Sequence, residues 1–394
     1  MKEGWEYSTI GKLCKTYSGG TPLKNVKEYY QDGNIPWLRS GEVCQKYIYE
    51  TEMFITQKGL ESSSAKYYPI NTVVVAMYGA TAAQVGILKI EATSNQAVCG
   101  IIPNSKFLPE FLYYFFCYRK EFLASQAQGG AQPNISQVKI KNLEVPVPSF
   151  SEQQSIVDYL DSAFAKIDAM KANAEKRLNE AKALFQASLK EMLEPKEGWE
   201  EKSMKEIVHP DCSLSYGIVQ PGEHIDDGVP VVRPVDFNNK VIVRVEGLKR
   251  TKKEISDAYK RTILKGGEIL LCVRGTTGTM GLASDELQGC NVTRGIVPIF
   301  FDEHANKMFV YYQLLSPKLQ TEIQKKTTGA ALKQINIKDL RALHLFFPSL
   351  SEQQAIVETL DSLKSKVDRL QANYEKISQE CDALKQAILR QVFE

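Results

Sequence analysis

A stretch of 46 residues is written twice in this chain, at 149–194 and again at 349–394, and that duplication limits its fold more than any other feature. Laid over each other at a shift of 200 residues with no gap, the copies agree at 23 of 46 positions. Both open on Ser-x-Ser-Glu-Gln-Gln, and both run to a shared final glutamate without proline or glycine. A period near 200 is too long for a solenoid, so it denotes two whole domain-plus-helix units in tandem. A chain of 394 residues has room for two domains of ordinary size and their connectors.

Each copy reads as one long helix. A capping box is expected at its start, with the Ser151 hydroxyl capping and Gln154 reaching back, and Ser351 and Gln354 repeating the pattern. In the second copy Ile356, Leu360, Leu363, Val367, Leu370, Tyr374, Ile377, Cys381, Leu384 and Ile388 alternate spacings of four and three, which is the seam of a coiled coil. The first copy keeps that seam at Ile156, Leu160, Ala163, Ile167, Met170 and Ala174. Beyond Arg177 its apolar residues move one place along, to Leu178, Phe185, Leu189 and Met192, a shift that rotates the apolar face as a stutter does. At ~1.5 Å per residue each helix is roughly 60 Å long, and its stripe needs a partner. The other copy, packed antiparallel, is the expected partner; dimerisation with another protein is the alternative.

Between the helices the two units diverge but keep landmarks. Lys-Glu-Gly-Trp-Glu opens both, at 2–6 and 196–200. Residues 34–39 answer 228–233, 73–81 answer 269–277, and 99–103 answer 295–299, each a short β-rich run. A helix-length aromatic segment follows in each unit (109–127 and 307–326), then a polar glycine-containing loop (129–134 and 329–334). A proline-bearing β run, 143–148 or 343–348, delivers the chain to the helix. The expected fold is α+β: mixed domains at 1–148 and 195–348, helices at 149–194 and 349–394, an antiparallel coiled coil and an internal pseudo-two-fold.

Composition excludes several functions. A hydrophobic fraction of 43% suffices for real cores, and a net charge of +2 confines any phosphate-binding surface to a local patch. The eight cysteines are scattered without a Cys-x-x-Cys pair, and the four histidines lie far apart, so reduced thiols and no metal are expected. The opening residues contain no apolar signal segment and the most apolar run, 111–118, is far too short to span a bilayer; a cytoplasmic protein with no membrane partner is expected. No Gly-x-x-x-x-Gly-Lys-Ser/Thr loop occurs, nor an Asn/Asp-Pro-Pro-aromatic run. Gly275, Gly278 and Gly281 lack dinucleotide-loop spacing and read as a turn between strands.

The duplicated run at residues 140–154 and 340–354, with its Pro-x-x-x-Glu-Gln-Gln-x-Ile-Val pattern ending at Val157 and Val357, resembles the specificity subunit of type I restriction-modification systems. The loop Gln132-Pro133-Asn134-Ile135 also resembles that family, whereas the second unit departs from it with Lys333-Gln334-Ile335. The resemblance implies a non-catalytic chain whose two domains, 1–148 and 195–348, are target-recognition domains for the halves of a split double-stranded DNA site. It implies that the helices set the spacer and dock two methyltransferase subunits, joined by restriction/translocase subunits. This chain would hold no cofactor; S-adenosylmethionine, ATP and Mg would belong to its partners.

For a DNA reader, lysines and arginines position phosphates, while Arg, Asn and Gln at turns read base edges. Residues 240–265 carry nine Lys/Arg against three acids, including Lys249, Arg250, Lys252 and Lys253. The first unit is sparser, with Lys12, Lys15, Lys24 and Lys27 near Tyr29 and Tyr30. Base-reading candidates are Arg39, Gln84, Asn95, Gln96, Gln132 and Asn134 in the first unit. In the second they are Arg233, Arg274, Thr276, Thr277, Asn291, Arg294, Lys333, Gln334 and Asn336. For any one of them a turn or core-polar role is the competing reading. Unlike domains on like helices predict an asymmetric bipartite site, its halves about one helical turn apart. The rival functions are a coiled-coil protein scaffold and a fused type II-like restriction/methylation enzyme.

Overall fold

The computed structural model describes residues 4–126, 134–237, 242–301, 303–329 and 333–394. It divides into two compact units, Met1–Ala174 with Tyr374–Glu394, and Glu175–Asn373. Each unit therefore holds one globular domain and a part of both long helices, Phe150–Met192 and Leu350–Phe393.

In the first unit the opening strand Glu6–Thr9 pairs antiparallel with Glu144–Val147, the strand that feeds the first long helix. A five-stranded sheet orders Thr16–Ser18, Val98–Ile101, Val73–Ala76, Val85–Leu88 and Tyr47–Ile48, and a three-stranded sheet sets Ile35–Leu38 between Phe54–Ile55 and Thr93–Ser94. Val73–Ala76 is apolar throughout because both of its faces are covered. Val73 and Val75 meet Phe111, Phe115 and Phe116 of the helix Pro109–Ser125, while Val74 and Ala76 meet Leu38, Ile48 and Tyr68. Val157 and Leu160 of the first long helix and Leu389, Val392 and Phe393 of the second close the same core. Phe393 stacks on Tyr118 at 5.5 Å and tilts against Phe111 at 5.5 Å.

The second unit repeats the plan. Glu200–Ser203 pairs with His344–Phe347, a four-stranded sheet has Ile269–Cys272 between Met280–Ala283 and Ile296–Ile299, and a three-stranded sheet centres on Val229–Val232. Gly275 and Gly278, at φ +82° and +90°, turn the chain between the antiparallel strands Ile269–Cys272 and Met280–Ala283. The expected helix over 307–326 is instead two, Lys307–Leu315 and Pro317–Lys326. Pro317 lacks the amide that would continue the first, and the Ser316 hydroxyl accepts from Leu319 N–H at 3.3 Å to start the second.

The helix start differs from the expected capping box. Ser149 and Ser349 are the caps, each hydroxyl accepting at 3.3 Å from the amide of Glu152 or Glu352, and Gln154 turns forward to Asp158. The repeated glutamine before it does more. Gln153, fully buried, accepts from Leu108 N–H at 2.9 Å and donates to the carbonyls of Lys106 and Pro148, both at 2.9 Å. Gln353 accepts from Asn306 N–H and donates to the Pro348 carbonyl, both at 3.0 Å. About two turns further along each helix, a tyrosine hydroxyl donates to a helix carboxylate, Tyr114 to Asp161 and Tyr312 to Asp361.

The long helices run antiparallel within each unit. In the first, Lys171 meets Asp382 at 3.5 Å and Lys385 meets Asp168 at 2.5 Å; in the second, Lys182 donates to Gln371 at 2.8 Å. Shifted by 200, the Lys171–Asp382 positions are Gln371 and Lys182, so one contact is made twice with different side chains. Leu160, Ile167, Ile356, Leu360 and Val367 are buried, and Ile156, Leu363, Leu370, Ile377 and Ile388 are half-buried. Two expected seam positions are corrected: Met170 is 60% and Leu384 47% exposed. An α-helix drifts ~20° per heptad against a 3.5-residue repeat, and at these turns Lys171 and Lys385 come inward instead, each ending on an aspartate of the facing helix. No helix among the described residues is long and apolar enough to cross a membrane.

Candidate nucleic-acid interface

Parallel pairing builds the candidate site, because parallel neighbours end at the same edge of a sheet. In the first unit Ile35–Leu38 runs parallel to Thr93–Ser94, with Leu38 opposite Ser94. Arg39 and the pair Asn95 and Gln96 therefore emerge side by side. Ala76 lies opposite Val98, and Met77 N–H donates to the Ala97 carbonyl at 2.7 Å, so Tyr78 leaves the neighbouring sheet at this edge too. A bridge from Tyr78 to Asn134 adds the loop that precedes the last short helix of the domain.

An open cleft of ≈ 620 Å³ lies at this edge, lined by Thr21, Lys24, Lys27, Arg39, Asn95 and Gln96 together with Tyr30, Gln31, Trp37 and Met53. Trp37 is held by its indole N–H, which donates to the Gly20 carbonyl at 3.0 Å, and it meets Tyr30 edge-on at 6.0 Å. The Thr21 hydroxyl donates to the Gln96 side-chain oxygen, and Asn95 Oδ1 accepts from Ala97 N–H at 3.1 Å. Arg39 is answered by two acids: its backbone N–H donates to Glu42 at 2.7 Å and its guanidinium to Glu52. Gln84 is half-buried in the hairpin between Val73–Ala76 and Val85–Leu88, and Gln132 lies outside the described residues, as do Lys240 and most of the two glycine-containing loops.

The second unit builds the same edge from other side chains. Val229–Val232 runs parallel to Asn291–Val292, with Val232 opposite Val292, and Arg233 and Arg294 follow. Cys272 lies opposite Ile296, which puts Arg274 beside Arg294, and Arg274 bridges Gln334 as Tyr78 bridges Asn134. Arg233, like Arg39, is tied to an acid three residues on: Nε and Nη2 donate to Asp236 at 3.2 and 2.8 Å, bonds that push the guanidinium pKa above its ordinary value. The Arg294 guanidinium lies 6.0 Å from the Tyr216 ring, whose hydroxyl accepts from Gln334 Nε2 at 3.1 Å. Lys333, Asn336 and Thr276 are exposed, and the Lys333 carbonyl accepts from Gly275 N–H at 2.8 Å.

Two expected readers are corrected. Asn291 is fully buried, donating to Ser256 Oγ at 3.0 Å and accepting from Thr262 Oγ1 at 2.7 Å, so its amide holds the three-stranded sheet to neighbouring turns. Thr277 is 7% exposed and its carbonyl accepts from Gln324 Nε2 at 2.8 Å, which makes it a support of the hairpin. The basic run also divides. Lys249 donates to the Gly222 carbonyl at 2.5 Å and Arg250 to that of Gly228 at 3.2 Å, tying down the preceding loop, whereas Lys252, Lys253, Lys260 and Arg261 are exposed.

Trp37, Thr21 and Tyr216 stand at these edges without a local sequence signal: Trp37 falls in the β-rich run 34–39, and an isolated hydroxyl or aromatic ring does not mark a base-reading position. No cluster of three or more His, Cys, Asp or Glu suited to a metal occurs among the described residues. Burial pushes the Cys99 thiol up to about 12, far from a reactive thiolate.

The family described as the type I restriction modification DNA specificity domain matches residues 2–180 and 196–379. The EcoBI specificity subunit of a type I restriction enzyme from Escherichia coli is 27% identical over 77% of this chain and 69% of its own length. The EcoR124I/EcoR124II specificity subunit, from the same species, is 32% identical over 41% of each chain, so that alignment spans about two fifths of the relative. A solved chain described under complex assembly and conformational transition of the type I R-M system superposes with a TM-score of 0.78 at 19% identity, covering 100% of this chain and 98% of that one; the likeness is one of fold.

Proposed function

The chain belongs to the type I restriction-modification DNA specificity family, and from that membership we propose that its domains at 1–148 and 195–348 read the two unlike halves of one bipartite DNA site. Its part is recognition rather than catalysis. The observation that carries the reading is the edge built twice on one topology, parallel strand ends beside a turn and a bridged loop, with different side chains at equivalent positions. A symmetric reader would repeat the side chains as well as the strands.

Exposed Lys24 and Lys27 in the first unit, and Lys252, Lys253, Lys260 and Arg261 in the second, supply phosphate contacts that set affinity and its salt dependence. Polar groups at the two edges choose the bases. The antiparallel long helices fix the unread spacer and dock two methyltransferase subunits, to which restriction/translocase subunits join. S-adenosylmethionine, ATP and Mg act in those partners.

Co-expression with the methyltransferase partner and genome-wide mapping of N6-methyladenine tests this. Two unlike half-sequences separated by a spacer of fixed length are expected, and methylation within one continuous palindrome overturns the reading. Deleting residues 175–181, one heptad of the first helix, should change the spacer or abolish assembly while leaving both half-sequences intact.

A further inference from the structure

The two edges can be compared position by position, because the strand registers align them. Arg39 and Arg233 each follow the strand at the centre of the three-stranded sheet, and each is engaged by a nearby carboxylate, Glu52 or Asp236. These arginines brace the edge in both units, so they do not distinguish one half-site from the other. The contrast lies at two neighbouring positions. Tyr78 in the first unit is Arg274 in the second, since each lies two residues past its strand and bridges the returning loop. Gln96 is likewise Arg294, each two residues past the parallel partner strand.

Among the described residues no carboxylate lies within ion-pairing distance of Arg274 or Arg294, in contrast to Arg39 and Arg233. Arg294 instead lies near the face of Tyr216, which orients a guanidinium without neutralising it. Two unpaired planar forks on adjacent turns suit the O6 and N7 acceptors of guanine in the major groove. In the first unit the same edge offers amides. The Thr21 hydroxyl fixes the Gln96 oxygen, leaving the NH₂ group and the second lone pair for a base, the pattern that matches N7 and N6 of adenine.

We propose that Arg274 and Arg294 read guanine in the half-site of the second unit, and that Gln96, at the position of Arg294, reads adenine in the half-site of the first. This assignment rests on the bipartite-reader function and adds the base class and the residue for each half.

The test uses the assembled methyltransferase complex. Duplexes carrying 7-deazaguanine, which pairs normally but lacks the N7 acceptor, are compared with unmodified target by competition binding. In one half-site the substitution should weaken the wild-type complex roughly tenfold. In complexes of Arg294→Gln or Arg274→Gln it should cost less, for the guanine that arginine reads. Methylation maps of the two variants should relax in that same half-site, and Gln96→Ala should relax the other. Thermal melting of each variant identifies any that fails to fold, and the deazaguanine comparison on wild type stands without variants. A bipartite wild-type motif with no guanine in either half, an undiminished deazaguanine duplex, or variants that relax opposite halves overturns the assignment. Absence of any bipartite motif overturns the reader function instead.

Discussion

Replacing Gln153 by leucine removes the polar weld between the first long helix and its domain while keeping the side-chain volume close. Three hydrogen bonds go: one from Leu108 N–H and two to the carbonyls of Lys106 and Pro148, each at 2.9 Å. A buried polar group left without a partner costs about 1–3 kcal/mol. The Lys106 carbonyl, on an exposed residue, recovers water, while the Pro148 carbonyl is on a buried one. Counting about 2 kcal/mol for the amide, about 1 for the Pro148 carbonyl and less for Lys106, then subtracting up to ~1 for the added apolar burial, gives a net loss of about 2–3 kcal/mol. Gln353→Leu removes two such bonds, with no counterpart of the one to Lys106, and should cost less by that share, under ~1 kcal/mol. Urea denaturation reports the totals, and hydrogen exchange reports the place: amides around residue 108 should exchange faster in the first variant and those around 306 in the second. A loss below ~0.5 kcal/mol for Gln153→Leu, or accelerated exchange spread evenly over both units, would refute the assignment of the weld to this side chain.

A Cβ on Gly19 would lie 2.2 Å from the Ser94 carbonyl oxygen and one on Gly217 2.1 Å from that of Val292, so Gly19→Ala and Gly217→Ala should each cost ~2 kcal/mol or more by thermal melting, and each should weaken DNA binding by the complex. Ile167→Ala should cost about 2–4 kcal/mol, whereas Met170→Gln, at an exposed position, should stay within about 0.5 kcal/mol in the same melts. Burial and the Asp368 charge push Tyr311 up to about 12, and burial with the charge of Glu110 does the same to Tyr47. Burial, followed by the hydrogen bond to Asp161 or Asp361, raises Tyr114 and Tyr312 as well. A raised folded-state pKa gives stability that is complete below the unfolded value near 10 and lost as pH rises through the folded one. The buried thiols Cys99, Cys117 and Cys272 are raised in the same way from an unfolded value near 8.5, so urea midpoints should begin to fall above about pH 8.5 and fall more steeply between pH 10 and 12; a flat profile from pH 8 to 12 would contradict it.

What could be read from the sequence was whatever repeats locally. The duplication at a shift of 200, the heptad spacing and the apolar runs at 73–76 and 269–272 each report one element meeting its own immediate surroundings, and two long helices and paired β runs follow from them. The cap fell two residues from the expected one because Ser149 and Ser151 both precede helical residues and a capping box can be written from either. The helix break at Pro317 has a local sequence signal, the proline itself.

Tertiary structure decided which polar residues serve the fold and which face outward. Asn291 and Arg294 are three residues apart and chemically plausible readers alike, yet one is fully buried in hydrogen bonds and the other stands at a sheet edge. Strand direction makes that difference: Asn291 lies within the parallel pair and Arg294 just beyond its end, and pairing partners 60 residues apart leave no local pattern. The role of Gln153 was hidden for the same reason. Its partners at Lys106, Leu108 and Pro148 meet only once the domain has closed on its helix, so the repeat marked the residue and only packing explained it.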